Sequence, residues 1–214
     1  MYYFIKRCMD IFLASLGLLI FIPLLLPLAI IIKLDSSGPI FADTPPRVGK
    51  GGRSFKMYKL RSMIDNAYLL LKTDPQFITY YEESKKKIGE KIENDPRITR
   101  VGKYLRKYSI DEMPQMFNVL KGEMSFIGPR PYYKEELEEY KKLYDNPNVD
   151  LLIKNAISSK PGITGIWQVS GRSNLSFDKR LLLDSQYTCN KSIREDILIL
   201  LKTPKIILLG RGAQ

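Results

Sequence analysis

An uncharged run of 22 residues, from Ile11 to Ile32, constrains this chain more than any other feature. It is built mainly from Leu, Ile and Phe, and it meets the roughly 20 residues that a helix needs to cross a membrane. A cleaved signal peptide would have a shorter apolar core followed by small residues. Because Lys33, Leu34 and Asp35 follow instead, we expect an uncleaved segment that lies in lipid.

Basic residues flank both ends of this segment. Lys6 and Arg7 precede it, and Lys33, Arg47 and Lys50 follow it. The positive-inside rule therefore favours the cytoplasmic side for both ends. A straight membrane span cannot satisfy that preference.

Two prolines lie inside the segment. Pro23 and Pro27 each remove a backbone donor, so the carbonyls of Leu19 and Pro23 lose their usual partners. A helix that bends at the prolines and returns to the same side would satisfy both flanks. Membrane helices also tolerate prolines, so a proline-kinked span is the alternative. The residues alone do not separate the two topologies.

The charge and the missing residue types narrow the chemistry. Thirty-four Lys and Arg face 23 Asp and Glu, for a formal net charge of +11, which suits a phosphate-rich partner. The chain has no histidine, which excludes Ser-His-Asp catalysis, imidazole acid/base catalysis and histidine-ligated zinc. Any catalysis by this chain must use carboxylates. The two cysteines, Cys8 and Cys189, fit no metal spacing, and we expect both to be free thiols.

A β-hairpin and a basic run follow the apolar segment. Short strands at Gly38–Phe41 and Phe55–Leu60 flank the turn Gly49–Gly52. Between Thr44 and Ile64 no acidic residue occurs, and this run would rest on anionic headgroups or form a phosphate-binding wall. Its six cations are Arg47, Lys50, Arg53, Lys56, Lys59 and Arg61.

Helical patterns dominate the rest of the chain. We expect a charged, solvated helical stretch from Ala67 to about Asn94, and a further helix from Arg100 to Tyr108. An apolar series with helical spacing then runs from Ile110 to Gly122, which ends it. The apolar faces between Ile193 and Leu209, interrupted by Pro204, fit a membrane interface or a buried core equally well.

An acidic pair, Asp111 and Glu112, follows Ser109 and two cations. Ser109 and Glu112 have the spacing of a capping box, in which the acids only cap a helix. The dipole and Arg106 would also keep Asp111 ionised, and an ionised carboxylate among cations is suited to attack on phosphorus. On these residues alone, capping is the favoured interpretation.

Two rigid loops carry further candidates. In Gly128–Pro131, two prolines fix the backbone around Arg130, which would aim its guanidinium at a phosphate or simply form a turn. The turn-rich stretch Lys160–Gly165 leads to Trp167 and Arg172, which would hold a nucleotide or pack. We include Arg172 among the substrate-binding candidates.

The order of these motifs resembles that of the monotopic polyprenyl-phosphate phosphoglycosyl transferases, the bacterial sugar transferase family. The resemblance covers nearly the whole chain. Its motifs are the proline-broken N-terminal helix, Gly38–Phe41, Arg47–Gly49, Tyr58–Met63, Asp95–Thr99, Asp111–Glu112, Phe117–Gly122, Gly128–Pro131, Lys160–Gly165 and Gly210–Ala213.

The resemblance implies a two-step reaction. Asp111 would attack the β-phosphorus of a UDP-sugar, UMP would depart, and polyprenyl phosphate would take the sugar phosphate from the enzyme. Glu112, with Asp111, would hold Mg²⁺. The remaining site residues that it implies are Lys59, Arg106 and Arg130, which neutralise phosphate charge, and Asp184, which aligns with a further acidic position.

We therefore expect a mainly helical α+β fold, monotopic in the membrane, with interfacial amphipathic helices. Residues 1–36 would form a re-entrant membrane helix, and residues 37–214 one catalytic unit on the cytoplasmic face of the bacterial inner membrane. The closing Gly210–Ala213 favours a hexose-1-phosphate donor such as glucose or galactose over an N-acetylated or diamino sugar.

The expected partners are a UDP-sugar, polyprenyl (undecaprenyl) phosphate and membrane lipid, with no nucleic acid. A homo-oligomer and an association with downstream glycosyltransferases stay open. A basic, membrane-anchored binding protein without catalysis is the rival from another functional class.

Overall fold

The computed structural model describes residues 1–86, 88 and 94–209 of the chain. The fold is mainly helical, with two small two-stranded sheets. The helices are α1 (Tyr2–Asp35), α2 (Ala67–Thr73), α3 (Pro75–Lys86), α4 (Arg100–Lys107), α5 (Gln115–Lys121), α6 (Lys134–Leu143), α7 (Pro147–Ala156), α8 (Ile166–Ser170), α9 (Phe177–Asn190) and α10 (Ile193–Leu209). The strands are β1 (Arg47–Val48), β2 (Ser54–Phe55), β3 (Ser125–Ile127) and β4 (Gly162–Thr164).

Helix α1 carries the apolar run and continues through both prolines, so neither Pro23 nor Pro27 ends it. Among the described residues it is the one helix whose length and composition would allow it to cross a membrane. Only 17% of its apolar window is buried, which is too little for the core helix of a water-soluble domain. Leu19 and Leu26, for example, are 72% and 71% exposed.

One narrow face of α1 packs on the rest of the protein. Its buried side chains recur every three or four residues from Lys6 to Phe21, as a single helical face requires, and Ile32 is buried near the other end. Ala14 joins a core cluster with Val119 of α5, and Leu18 and Phe21 join another. The helix is thus part of the core along its length.

Arg61 and Arg7 fix the two ends of α1. The guanidinium of Arg61 is 3% exposed and donates to carbonyls after the last turn of α1, including those of Ser36 (2.7 Å) and Pro39 (2.5 Å). At the other end, Arg7 donates to the carbonyls of Val119 (2.7 Å) and Leu120 (2.9 Å) in the last turn of α5. Both ends are therefore bound to the same body.

The predicted hairpin is present but shorter than expected. Strand β1 pairs antiparallel with β2, Arg47 opposite Phe55, around a 3₁₀ turn at Lys50–Gly52. The outer strands predicted from the sequence are reduced to one antiparallel bridge between Phe41 and Leu60. Prolines at positions 45 and 46 cannot donate to a ladder, which accounts for the short pairing.

A second, parallel sheet was not predicted. Strand β3 pairs with β4, Ser125 opposite Gly162, in segments that the sequence suggested were turns. The sheet brings Gly128 and Gly162 so close that a Cβ on either would overlap the backbone of the other segment. The glycines of both motifs are therefore required by close backbone approach.

The helices predicted in the middle of the chain are present with altered limits. The stretch after Ala67 contains α2 and α3, and its end, at positions 87 and 89–93, lies outside the described residues. The series predicted as one helix from Ile110 is divided into a 3₁₀ turn at Ile110–Glu112 and α5, which ends at Gly122 with φ +80°.

Helix α10 combines the two interpretations that its sequence allowed. Ile199 is 2% exposed and joins a core cluster, whereas Leu201 and Leu208 are 71% and 75% exposed. One face is core and the other is an exposed apolar surface. Cys8 and Cys189 are both exposed, free thiols, as predicted.

Candidate functional site

A cavity of about 400 Å³ lies where the hairpin, the 3₁₀ turn at Ile110–Glu112 and the two rigid loops meet. Charged side chains of both signs line it and originate from distant parts of the sequence. The cationic ones are Arg47, Lys59, Arg61, Arg97, Arg106, Arg130 and Arg172, and the acidic ones are Asp43, Asp65, Asp95, Asp111, Glu112 and Glu136. The cavity volume is in the range of small-molecule sites.

The acidic pair lies on the wall of this cavity. Asp111 is 5% exposed and Glu112 is partly exposed, within the 3₁₀ turn between α4 and α5. Ser109 precedes them with left-handed angles (φ +56°) and makes no side-chain capping bond. The capping-box interpretation is therefore wrong, and the acids are held by other contacts.

Lys59 connects the acidic pair to the hairpin. Its Nζ lies 2.8 Å from Glu112 Oε1 and 3.6 Å from Asp111 Oδ2. The backbone N–H of Leu60 donates to the Asp111 carbonyl at 2.9 Å, which fixes the turn against the Lys59 segment. Burial lowers the pKa of Lys59, but Glu112 and Asp111 outweigh it and the pKa is raised. Lys59 is therefore a permanent cation beside two carboxylates.

Arg130 is held on several sides by the rigid loop and its neighbours. Its Nη2 donates to Glu136 Oε1 at 3.0 Å, and its guanidinium carbon lies 5.5 Å from the centroid of the Trp167 ring. Burial lowers the pKa of Arg130, but Glu136 and two tyrosines raise it by more. The loop fixes a charged fork at the cavity wall, as the two prolines predicted.

Asp184 lies behind that loop and does not line the cavity. Its side chain is fully buried, and Oδ2 accepts from the Arg130 backbone N–H (2.8 Å) and the Tyr132 hydroxyl (2.7 Å). Burial raises the pKa of this carboxyl to about 7, against the hydrogen bonds and arginines that lower it. The structure thus makes Asp184 a support for the Arg130 backbone.

Arg172 and Arg106 both line the cavity, beside the acidic turn. Arg172 is 9% exposed, and its Nη2 donates to Ser109 Oγ at 2.5 Å. Its Nη1 is buried without a hydrogen-bond partner among the described residues. A buried guanidinium N–H without an acceptor favours an anionic ligand at this point.

Arg47 is a cavity residue whose individual position the sequence did not reveal. Its guanidinium stacks 3.2 Å from the centroid of the Tyr133 ring and donates to the Pro131 carbonyl at 3.1 Å. Burial lowers the pKa of Arg47, with Tyr133 and Glu136 opposing it. The sequence signals for this residue were the basic run between Thr44 and Ile64 and the motif Arg47–Gly49.

The basic run itself divides into inward and outward side chains. Lys59, Arg47 and Arg61 face the cavity, whereas Lys50 and Lys56 are exposed. Arg61 also binds the end of α1, which the sequence did not predict. Part of the run therefore lines the cavity, and part lies on the surface.

No group of three or more His, Cys, Asp or Glu that would hold a metal occurs within the described part of the chain. The donor set near Lys59 is instead two adjacent carboxylates. Hard cations such as Mg²⁺ are often bound by one or two carboxylates plus phosphate oxygens of the substrate. A buried carboxylate, fixed cations and a cavity of small-molecule size thus occur together at this place.

The sequence profile of the bacterial sugar transferases matches residues 1–210. The chain belongs to this family.

Individual relatives agree with this assignment. A Salmonella typhimurium protein named undecaprenyl-phosphate galactose phosphotransferase is 42% identical over 98% of this chain and 42% of its own length. The exopolysaccharide production protein ExoY of Rhizobium meliloti is 40% identical over 97% of the chain and 87% of its own length. An N-acetylgalactosaminephosphotransferase of Aeromonas hydrophila, whose name gives undecaprenyl phosphate as acceptor, is 39% identical over the whole chain and 46% of its own length. The chain thus spans less than half the length of two of these relatives.

Proposed function

We propose that this protein is a phosphoglycosyl transferase that moves a sugar-1-phosphate from a UDP-sugar to polyprenyl phosphate and releases UMP. The observation that carries the proposal is the buried Asp111 carboxylate, 3.6 Å from the Lys59 ammonium, on the wall of a cavity that several arginines also line. Relatives that align with almost the whole chain carry names that describe transfer of a sugar phosphate to undecaprenyl phosphate, which supports the proposal. The product would begin a surface polysaccharide or glycoconjugate.

The chemistry would proceed in two displacements at phosphorus. In the first, an Asp111 carboxylate oxygen forms a bond to the β-phosphorus, and the bond from that phosphorus to the UMP oxygen breaks. UMP leaves with the electron pair. In the second, an oxygen of polyprenyl phosphate attacks the same phosphorus and Asp111 departs as carboxylate, giving polyprenyl-diphosphate-sugar.

The surrounding cations would supply most of the remaining rate enhancement. Phosphoryl transfer depends largely on positioning and on electrostatic stabilisation of charge at the phosphoryl oxygens. Lys59 and Arg130 are fixed by ion pairs, and Arg172 has a buried donor without a partner among the described residues. These groups would neutralise the diphosphate, with Arg106 beside them on the cavity wall.

Mg²⁺ would be held by Glu112 and Asp111 together with the donor's phosphate oxygens. When bound, it would neutralise diphosphate charge and assist departure of UMP. The two carboxylates fit this role because Mg²⁺ needs few protein ligands when the substrate supplies phosphate. Loss of UMP release in the presence of a chelator, restored by added Mg²⁺, would test the requirement.

A re-entrant course of α1 on the cytoplasmic face of the bacterial inner membrane completes the proposal. The buried side chains of α1 lie between Lys6 and Ile32, a distance of about 39 Å at 1.5 Å per residue. All of them pack on the rest of the protein. A helix that crossed the membrane would leave one end far from a catalytic unit in the cytoplasm. Contact at both ends, by Arg7 and Arg61, supports entry and exit on the same side.

Cysteine labelling tests this topology. Cys8 and Cys189 are exposed, so both are first replaced by serine. New cysteines at Tyr3 and Ser36 should then react only with a reagent that reaches the cytoplasm. Labelling of either position from the periplasmic side would overturn the re-entrant topology.

The donor sugar is proposed to be a hexose such as glucose or galactose, on the Gly210–Ala213 motif. Those residues lie outside the described part of the chain. Relatives of 42% and 39% identity are named for galactose and N-acetylgalactosamine respectively, so overall similarity does not select the sugar. A panel of UDP-sugars is needed to identify it.

One assay tests the function as a whole. Purified full chain is incubated with Mg²⁺, undecaprenyl phosphate and each UDP-sugar, and UMP release is measured. Without lipid acceptor, we expect a UMP burst and a protein mass increased by one sugar phosphate on Asp111. Absence of UMP release with every donor would favour the non-catalytic binding protein.

A further inference from the structure

The first turns of α1 carry a lysine whose charge is already balanced inside the protein. Lys6 is 8% exposed, and its Nζ lies 3.4 Å from both Asp10 Oδ1 and Asp196 Oδ2. Tyr187 donates to Asp196 Oδ1 at 2.5 Å, and the Ser125 hydroxyl donates to Asp10 Oδ1 at 2.9 Å. This buried network joins α1 to α10 and β3, and its two carboxylates outnumber its one ammonium, so Lys6 is not available to an external anion.

Four other cations lie near one another, two of them over the ring of Tyr3. The Nζ atoms of Lys50 and Lys191 lie 5.9 Å and 5.5 Å from the ring centroid. Arg7 and Lys160 are next to each other nearby. None of the four lies within 4.0 Å of a carboxylate oxygen from the described part of the chain. We call Arg7, Lys50, Lys160 and Lys191 the Tyr3 cluster.

Two distances and the pKa of Lys160 show that these charges lie close together. The Lys160 Nζ and the Arg7 Nη2 lie 3.4 Å and 3.8 Å from the position that a Cβ of Gly122 would occupy. Burial lowers the pKa of Lys160, and the charges of Arg7 and Lys50 lower it further, with Asp10 opposing. A lysine under this repulsion gains when an anion binds beside it.

The members of the cluster differ in how they are held. Arg7 is bound to the carbonyls of Val119 and Leu120, and Lys191 donates to Ser159 Oγ at 2.6 Å. Lys50 and Lys160 have no hydrogen-bond acceptor among the residues that the structure describes. Arg7 is therefore fixed by the protein, whereas Lys50 and Lys160 keep donors for a ligand.

The surroundings are those of a membrane surface. Tyr3 and Phe4 are 69% and 76% exposed, and Phe12, more than two turns later in α1, is 67% exposed. Aromatic rings and lysines at the start of an apolar helix are typical of the headgroup level of a bilayer. Lys50, Lys160 and Lys191 do not line the catalytic cavity, so this site is separate from it.

We propose that the Tyr3 cluster binds the phosphate of an anionic phospholipid headgroup, with Lys50, Lys160 and Lys191 as its donors. The inference rests on the membrane placement proposed above, but it does not depend on the transfer chemistry. A bound headgroup would hold the start of α1 at a fixed depth beside α5. The uncompensated charge favours an anionic lipid over a zwitterionic one, because a zwitterion brings its own cation.

Native mass spectrometry of the detergent-solubilised full chain tests this directly. The protein is titrated with phosphatidylglycerol and, separately, with phosphatidylcholine. We expect wild type to prefer phosphatidylglycerol by about tenfold or more, since each basic residue near the surface adds to the attraction. The triple variant Lys50→Gln, Lys160→Gln, Lys191→Gln should bind both lipids alike. The matched control is Lys103→Gln, Lys142→Gln, Lys179→Gln, which removes three exposed lysines elsewhere and should keep the preference.

Three results would overturn the proposal. Wild type could bind phosphatidylglycerol and phosphatidylcholine equally. The triple variant could keep the preference for phosphatidylglycerol. The control variant could lose that preference to the same extent as the triple variant. A competition experiment shows whether the cluster binds a phospholipid or the acceptor lipid. Displacement of bound phosphatidylglycerol by an equimolar amount of undecaprenyl phosphate would reassign the cluster to the acceptor lipid. UMP release measured without phospholipid shows that the triple variant is folded and separates this outcome from failure of the proposed function.

Discussion

Two buried aspartates show how one residue type acquires different roles in this protein. Asp111 and Asp184 are 5% and 0% exposed, and both lie next to segments that line the cavity. Asp111 faces the cavity beside the Lys59 ammonium at 3.6 Å. Asp184 faces inward, accepts from the Tyr132 hydroxyl, and has a pKa that burial raises to about 7.

Asp111 and Asp184 differ in the groups that contact their carboxyls and not in their degree of burial. A carboxylate beside a fixed cation keeps its charge at low cost and can act on phosphorus. A carboxyl that receives neutral donors in a closed space is well suited to hold a backbone in place. In the proposed mechanism Asp111 reacts and Asp184 supports the Arg130 backbone, and the following substitutions test that division.

Asp111→Asn should produce the largest effect. An amide cannot form the acyl-phosphate bond, so we expect UMP release to fall by at least about 10⁴-fold with the fold unchanged. Thermal unfolding and steady-state UMP release are measured on the same preparation. Asp74→Asn is the matched control, because Asp74 Oδ1 accepts from the Gln76 N–H as a true helix cap, which asparagine can replace. Full activity in a folded Asp111→Asn protein would refute the covalent mechanism.

Asp184→Asn should alter the pH dependence of stability. The folded protein keeps the Asp184 proton up to about pH 7, whereas an unfolded chain releases it near 3.8. The Asp184 carboxyl therefore stabilises the folded wild-type protein fully below about pH 4. This contribution to the free energy of unfolding is lost as the pH rises to 7. The full loss is roughly 4 kcal/mol at about 1.36 kcal/mol per pKa unit.

Thermal unfolding of both proteins from pH 4 to 8 measures this difference. The Tm of Asp184→Asn relative to wild type should increase between pH 4 and 7 and then become constant. Parallel curves for the two proteins would show that Asp184 is ionised in the folded state throughout this range.

Arg130→Lys separates the side chain of Arg130 from the backbone that Asp184 holds. The substitution keeps the charge and the N–H to Asp184 but loses the planar fork. We expect turnover to fall about 100-fold with little change in Tm, in line with removal of one oriented donor. Wild-type turnover in this variant would reduce Arg130 to a turn residue.

Tyr132→Phe should have the smallest effect and should be confined to stability. It removes the hydroxyl that donates to Asp184 at 2.7 Å in a fully buried position. We expect a loss of about 1–2 kcal/mol in the free energy of unfolding, and UMP release within a few-fold of wild type. A loss of activity as large as that of Arg130→Lys would place Tyr132 in the catalytic machinery.

Much of the fold and part of the site follow from the sequence. The apolar run predicted α1, the 3.6-residue spacing predicted α4, and the glycine at position 122 correctly ended α5. The parallel pairing of β3 with β4 was missed, because strands of three residues separated by two helices carry no local periodicity.

The sequence by itself determined which chemistry is available. The absence of histidine restricted catalysis to carboxylates, and the motif order identified the family. Those properties depend only on residue types and their order along the chain.

Only the tertiary structure decided how these residues are used. Ser109 adopts left-handed angles and binds Arg172, 63 residues away, and Lys59 reaches Glu112 across 53 residues. It also placed Asp184 inside the core and left Lys50 and Lys160 without an ion pair to any carboxylate of the described residues. Such contacts depend on which elements pack together, and packing energy is shared among many side chains, so no short motif specifies them.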